Sequence, residues 1–181
     1  MIAAARLRKG LANSARGAHR FVTDALVTAK KAGSTGVLVL RADSAYYGHE
    51  VIAAATRQGA RFSITARQDR AVRAAIAMIA MIAWTTIKYT NAVFDEGSAR
   101  WISDAEAAET NYTAFTSKPT AKHVTARLIV RRVKDMNPDH QSDLFTAYRY
   151  HAVFTNSPLP MLGAKKAYRA QRHGRTGHRP T

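Results

Sequence analysis

Asp43 puts a carboxylate at the end of the largely apolar stretch 36–42, and small, aromatic and glycine residues follow it directly. In open α/β sheets, functional side chains gather just beyond the carboxyl ends of the strands. A carboxylate held there is a common ligand of Mg²⁺ or Mn²⁺, which prefer oxygen. Two such ions about 3.5–4 Å apart can activate a water and stabilise the leaving oxygen of a phosphodiester. Because that chemistry needs two or three carboxylates, Asp43 would require companions from other elements.

A purely structural explanation of Asp43 stands beside the catalytic one. An aspartate after a strand often caps the next turn, since its side chain accepts hydrogen bonds from free backbone N–H groups. Residues 44–50 would form that turn. The pattern alone favours the structural role, and both roles remain open.

A group of arginines could contact nucleic acid. Arg127, Arg131 and Arg132, with Lys134 nearby, could follow a phosphate backbone, and Arg127 and Arg131 share one face of a predicted strand. A solvated strand face is the alternative. The seven histidines show no spacing typical of a zinc site, and no glycine-rich nucleotide-binding motif occurs.

Helices and strands alternate in the first half of the predicted structure. Apolar spacing predicts helices over 18–32 and 49–60, each ended by a glycine, and a third over 71–84. Residues 36–41 are apolar without alternation, which predicts a short, fully buried strand, and residues 61–67 alternate as a second strand. This order is typical of a sheet covered by helices, and we expect an α/β fold.

A β-rich stretch follows the α/β part. The predicted strands cover 84–94, 99–103, 123–134 and 144–156. We expect four regions in all: a poorly ordered segment 1–15, an α/β core 16–83, a β-rich insertion 84–160 and a basic, disordered tail 161–181.

Composition narrows the class of protein. The 181 residues include no cysteine, which excludes disulfides and thiolate catalysis. No apolar run reaches the roughly 20 residues of a membrane-spanning helix, and the first residues make a poor secretion signal. A soluble cytoplasmic protein is therefore expected. The net charge of +16 suggests a nucleic-acid partner, but residues 1–20 and 163–181 hold eleven of the 28 basic residues and no acidic one.

Residues 15–55 and 145–158, above all the stretch 40–48 (LRADSAYYG), resemble bacterial insertion-sequence transposases of the DDE type. The likeness covers about Arg16 to Tyr168 and is greatest to the insertion-sequence 1380 group, related to the insertion-sequence 4 superfamily. It implies a ribonuclease H-like fold with a β-rich insertion, and an Asp–Asp–Glu triad that uses Mg²⁺ or Mn²⁺ to cleave and join DNA at transposon ends. In some relatives an aromatic residue of the insertion stacks on a flipped base. Trp84 and Trp101 are candidates for that role, although a tryptophan in a β-region more often covers the core.

The resemblance assigns one triad residue to this chain. Asp43 matches the second aspartate, at the end of the fourth strand of the family's fold. The first aspartate is expected on a strand that would precede residue 1. In the glutamate signature of the family, counted from Tyr168, Gln171 stands at the arginine position and Arg175 at the glutamate position. We therefore expect a partial ribonuclease H-like domain that lacks two of its three carboxylates.

The basic tail suggests a reason for the missing glutamate. Residues 175–179 can be encoded so that a neighbouring reading frame gives Glu-Gln-Val-Ile-Ala, the kind of sequence that follows in the family. The expectation is a truncated and frameshifted copy of a transposase, inactive by itself and able to hold a divalent ion only weakly. The alternatives are a non-enzymatic, sequence-nonspecific DNA-binding remnant and an unstable pseudogene product.

Overall fold

The computed structural model describes residues 16–87, 94–96, 100–101, 105–134 and 148–159. Within them the helices are α1 (Ala18–Lys31), α2 (His49–Arg57) and α3 (Arg70–Ala77). The strands are β1 (Val39–Ala42), β2 (Arg61–Thr65), β3 (Thr85–Ile87), β4 (Phe94–Asp95), β5 (Arg100–Trp101), β6 (Ala105–Ala114), β7 (Val124–Lys134) and β8 (Tyr148–Thr155). Short 3₁₀ turns cover Ser44–Tyr46, Met81–Ala83 and Thr120–Lys122. The predicted segments 1–15 and 161–181 lie outside the described residues.

Six of the described strands form one mixed sheet in the order β1-β2-β8-β7-β6-β3. β1 and β2 are parallel, whereas β2–β8, β8–β7, β7–β6 and β6–β3 are antiparallel. β4 and β5 form a separate two-stranded pair. The result is a mixed α/β fold, as expected, in which β8 of the predicted insertion pairs directly with β2 of the predicted α/β core.

The core lies between the helices and one face of this sheet. Because side chains alternate along a strand, the register places Ile64, Phe154 and Leu128 side by side on that face. All three are buried, together with Val22 and Leu26 of α1. The opposite face carries Arg127 and Arg131 of β7, because residues of odd number on that strand point the other way.

α1 and α2 form where the apolar spacing predicts them. Ala18, Val22 and Leu26 lie one turn apart on the buried stripe of α1, which ends near Gly33 with a φ of 85°. α2 buries its own apolar stripe and ends before Gly59, where φ is 67°. An L-residue is strained at such angles, so glycine stops both helices.

The prediction of a fully buried strand over 36–41 is wrong. β1 begins at Val39 and is the outer strand of the sheet in the described part of the chain. Val37 is 71% exposed and Val39 41% exposed, while Leu38 and Leu40 pack against the core. The apolar run therefore covers the core with one side only, since no described strand lies beyond β1.

α3 is shorter than predicted. It starts at Arg70 and ends at Ala77, although the apolar pattern continues to residue 84. Val72 and Ile76 are buried, but Met78, Met81 and Ile82 are exposed, Ile82 by 97%. An apolar pattern forms a helix only where its apolar side chains have a core to cover. Here the core extends only as far as the stripe formed by Val72 and Ile76.

β6 is the strand that the sequence does not reveal. Its sequence, AEAAETNYTA, consists largely of residues that disfavour strands. The register pairs all ten residues of β6 with β7, whose alternating pattern over 124–133 is confirmed. Pairing with a strong neighbouring strand thus overrides local propensity.

Among the described helices, none has the length and apolar character needed to cross a membrane.

Candidate functional site

Asp43 follows β1 directly and begins the 3₁₀ turn Ser44–Tyr46. Its Oδ1 accepts a hydrogen bond from the backbone N–H of Ala45 at 2.9 Å, and the side chain is exposed. The structural role considered from the sequence is therefore present. Within the described residues, this bond is the one contact of the carboxylate, which leaves Oδ2 open to solvent or to a cation.

Asp69 is a second carboxylate near this edge of the sheet, and sequence reasoning missed it. It follows β2 and caps α3, with Oδ1 accepting from the N–H of Val72 at 2.9 Å. Since β1 and β2 are parallel neighbours, their carboxyl ends meet at the same edge. At both positions a strand is followed by an aspartate and then by a helical segment. This repeated order is the sequence signal that could have indicated Asp69.

A third carboxylate does not join them in the part of the chain that the structure describes. No three His, Cys, Asp or Glu side chains there come close enough to hold a metal ion together. Asp43 fits a hard cation as a single oxygen ligand, with the Ala45 N–H fixing its orientation.

A cavity among the described residues lies at the other end of the parallel strands. Its volume is about 590 Å³, and its lining includes Lys30, Gly36, Gln58 and Arg61, next to the starts of β1 and β2. Asp43 is not part of it. The candidate site is thus an open edge of the sheet rather than an enclosed pocket.

Tyr47 packs beneath the turn that carries Asp43. Its ring lies 5.3 Å from that of Phe115 and 6.0 Å from that of Phe154, measured between centroids. The residue is only 9% exposed, and its hydroxyl has no hydrogen-bond partner among the described residues. Burial raises the pKa of the phenol well above its usual value, and the nearby Tyr112 and Asp69 raise it further.

The loop between β6 and β7 contacts the same turn. The ring of Phe115 lies 6.2 Å from that of His49, and Lys122 Nζ lies 3.4 Å from Glu50 Oε1. His49 Nδ1 lies 3.3 Å from the same oxygen. Hydrogen bonds from His49 and Lys122 lower the pKa of Glu50.

Trp84 and Arg132 belong to one cluster. The guanidinium carbon of Arg132 lies 4.2 Å from the ring centre of Trp84 and 4.5 Å from that of Tyr148. Its Nε donates to Glu106 Oε2 at 2.6 Å, and the residue is 6% exposed. The charge is therefore neutralised inside the fold. Contact of Arg132 and Trp84 with DNA stays a prediction, and this geometry gives it no support.

Arg127 and Arg131 share the sheet face opposite the helices. Arg127 donates to the carbonyls of Ser157 and Leu159, both at 2.7 Å, and pairs with Glu109. Arg131 lies opposite His151 of β8. The predicted common face exists, whereas a role in binding phosphate stays a prediction. The backbone of Trp101 forms part of β5, and its side chain lies outside the described residues.

Comparison with known families gives a match over most of the chain. A family model described as transposase DDE domain, group 1, matches residues 1–157. No curated protein matches the chain.

Proposed function

Because this chain belongs to the transposase DDE domain family, we propose that it is part of a transposase catalytic domain in which Asp43 is a ligand of a divalent metal ion. The observation that carries the proposal is the exposed carboxylate at the carboxyl end of β1, with one oxygen used as a cap and the other free. The family implies DNA as the partner. The resemblance of residues 40–48 extends the proposal to the insertion-sequence 1380 group.

A ribonuclease H-like sheet is part of the proposal. Two parallel strands joined through α2 and extended by antiparallel strands are compatible with such a fold. In this arrangement the turn after β1 is where the metal-binding aspartate of the family would lie.

Mg²⁺ or Mn²⁺ bound there would lower the pKa of a bound water and stabilise charge on the reacting phosphate. The part played by the chain is orientation. The Ala45 N–H holds Oδ1 and so fixes the orientation of the exposed carboxylate. The packed ring of Tyr47 supports the turn from below.

We propose that the chain by itself does not catalyse cleavage or strand transfer. The reaction needs two or three converging carboxylates, and the described residues supply no group of three possible ligands. A divalent ion held through one carboxylate is expected to bind weakly. The site of action would be bacterial DNA in the cytoplasm.

Mn²⁺ titration followed by electron paramagnetic resonance tests the metal proposal. Asp43→Asn keeps a side-chain oxygen that can cap Ala45 but removes the charge, so we expect Mn²⁺ affinity to fall at an unchanged melting temperature. Glu96→Gln is the control, because it removes one exposed carboxylate from the turn after β4, and it should leave the affinity unchanged. Equal Mn²⁺ binding by wild type and Asp43→Asn would overturn the proposal.

Inactivity is tested separately with a DNA cleavage and joining assay in Mg²⁺ or Mn²⁺. We expect no product from the wild-type chain. Product that disappears with Asp43→Ala would refute the incomplete site while supporting the role of Asp43.

Sequence-nonspecific DNA binding without catalysis is the second candidate function, favoured by the net charge of +16. It predicts binding that weakens steeply as salt rises and that does not depend on Asp43. If deletion of residues 163–181 removes that binding, the basic tail is responsible for it.

A further inference from the structure

The loop Phe115–His123, between β6 and β7, is fixed against the residues that follow the turn of Asp43. Phe115 contacts the rings of Tyr47 and His49, and Lys122 pairs with Glu50. Four hydrogen bonds also order the loop internally. Three join backbone groups, from the N–H of residue 118 to the carbonyl of 115 at 2.9 Å, from the N–H of 122 to the carbonyl of 119 at 2.8 Å and from the N–H of 123 to the carbonyl of 120 at 2.9 Å. The fourth joins the ring of residue 123 to the carbonyl of 118 at 2.8 Å.

Phe115 holds the loop in place through its ring, although its own backbone is strained. Its φ is 65°, the one positive φ of a non-glycine residue in the described part of the chain. For a bulky residue such a conformation is unfavourable and persists only where the surroundings hold it. Here the ring contacts with Tyr47 and His49 hold it. The position of the loop relative to Asp43 is thus specified in spite of a local cost.

The loop presents positive charge beside the segment that follows Asp43. Residues 115–123 include Lys118 and Lys122 and no acidic residue. Lys118 is exposed, and the side chain of Lys122 is 46% exposed. Glu50, the partner of Lys122, is seven residues from Asp43, so their backbones lie at most about 25 Å apart. That span corresponds to about seven base pairs of DNA.

We propose that Lys118 and Lys122 bind the phosphate backbone of DNA beside the Asp43 site, with Phe115 as the residue that positions them. The inference rests on the proposed function, since it takes DNA as the substrate. A phosphate would replace the Glu50 carboxylate as the partner of Lys122. Because that ion pair is exposed to solvent, the exchange is easy.

The salt dependence of DNA binding tests the lysines. We compare wild type with Lys118→Gln/Lys122→Gln and with Lys30→Gln/Lys31→Gln, which removes the same charge at the end of α1, beside the cavity that excludes Asp43. Each lost phosphate contact lowers the slope of log K against log salt by about 0.9. The slope should therefore fall by about two in the loop variant and stay unchanged in the control.

The outcomes distinguish a failure of this inference from a failure of the proposed function. Equal slopes for the two double variants overturn the inference and leave the proposed function standing. Wild-type protein that binds no DNA duplex at low salt overturns both.

Phe115→Gly tests the positioning role with the lysines retained. Glycine adopts a φ of 65° without strain but removes the ring that seats the loop. We expect DNA affinity to fall several-fold at an unchanged net charge, with the far-ultraviolet circular dichroism retained. Affinity equal to that of wild type would contradict the role of Phe115.

Discussion

Tyr47 combines a favourable ring with an unfavourable hydroxyl group. The ring packs between Phe115 and Phe154 under the turn of Asp43. The hydroxyl is buried, and although Tyr112 lies near it, no hydrogen bond of good geometry forms in the described residues. A buried polar group left in that state costs about 1–3 kcal/mol. At the scale of single residues, this hydroxyl is the clearest unsatisfied polar group near the candidate site.

Tyr47→Phe should therefore keep the packing and relieve the cost, raising the free energy of unfolding by about 1 kcal/mol in urea denaturation. Tyr46→Phe is the neighbouring control and should change little. A loss of more than about 1 kcal/mol in Tyr47→Phe would mean that the hydroxyl has a partner after all.

The pH dependence of stability follows from the same residue. The pKa of Tyr47 is raised above its usual value of 10.0, so its contribution is complete below about pH 10 and is lost as the pH rises toward the higher folded-state pKa. Between pH 9 and pH 11 the free energy of unfolding should fall less in Tyr47→Phe than in wild type, because the variant has no phenol to titrate. Parallel pH curves for both proteins would contradict this.

Sequence reasoning could find Asp43 but could not choose between its roles. A cap and a metal ligand ask for the same residue type at the same strand end, and the structure shows that one oxygen serves the cap while the other stays open. Trp84 and Arg132 were singled out separately because no local pattern indicates that residues 48 positions apart in the chain will stack on each other.

At the scale of elements, the contact between β8 and β2 joins the two parts of the chain. The Oγ1 of Thr155 donates to the carbonyl of Phe62 at 2.7 Å and accepts from the N–H of Ser157 at 3.0 Å. Asn156 Oδ1 accepts from the N–H of Phe62 at 2.8 Å. These bonds fix the end of β8 at the centre of the sheet, where Thr155 is fully buried.

Thr155→Val keeps the shape of the side chain but removes both hydroxyl bonds, so we expect a loss of about 1–3 kcal/mol in urea denaturation. Thr125→Val is the matched control. Its hydroxyl bonds that of Thr113 at 2.8 Å on the exposed part of β7, and its loss should stay within about 0.5 kcal/mol. Similar losses in both variants would mean that the junction is not a key contact.

Elements were predictable where local pattern and burial agree. α1, α2 and β7 carry clear periodicity and also have a surface to cover. α3 and β6 depend on distant partners. The helix ends where the core ends, and the strand exists because β7 pairs with all ten of its residues.

At the scale of the whole molecule, β1 is the exposed outer strand of the described sheet. A short parallel strand at an edge, with Val39 exposed on it and Val37 exposed just before it, is a surface on which other chains can pair. Its apolar sequence predicts burial on both sides, and the described fold supplies burial on one.

Val39→Lys should therefore reduce aggregation, measured by light scattering during storage, without lowering the melting temperature, because a charge blunts an edge strand. Leu40→Lys is the control on the same strand. Its side chain packs against the core, so we expect its melting temperature to fall clearly. Undiminished aggregation of Val39→Lys would show that association uses another surface.

Localised paramagnetic broadening by Mn²⁺ tests most directly whether Asp43 binds a divalent ion. In amide spectra of the isotopically labelled chain with a trace of Mn²⁺, signals from residues 43–48 should broaden first, and Asp43→Asn should abolish that effect. Broadening that centres on Asp69 or Glu106, or that persists around residue 43 in the variant, would contradict the metal-binding role on which the proposed function rests.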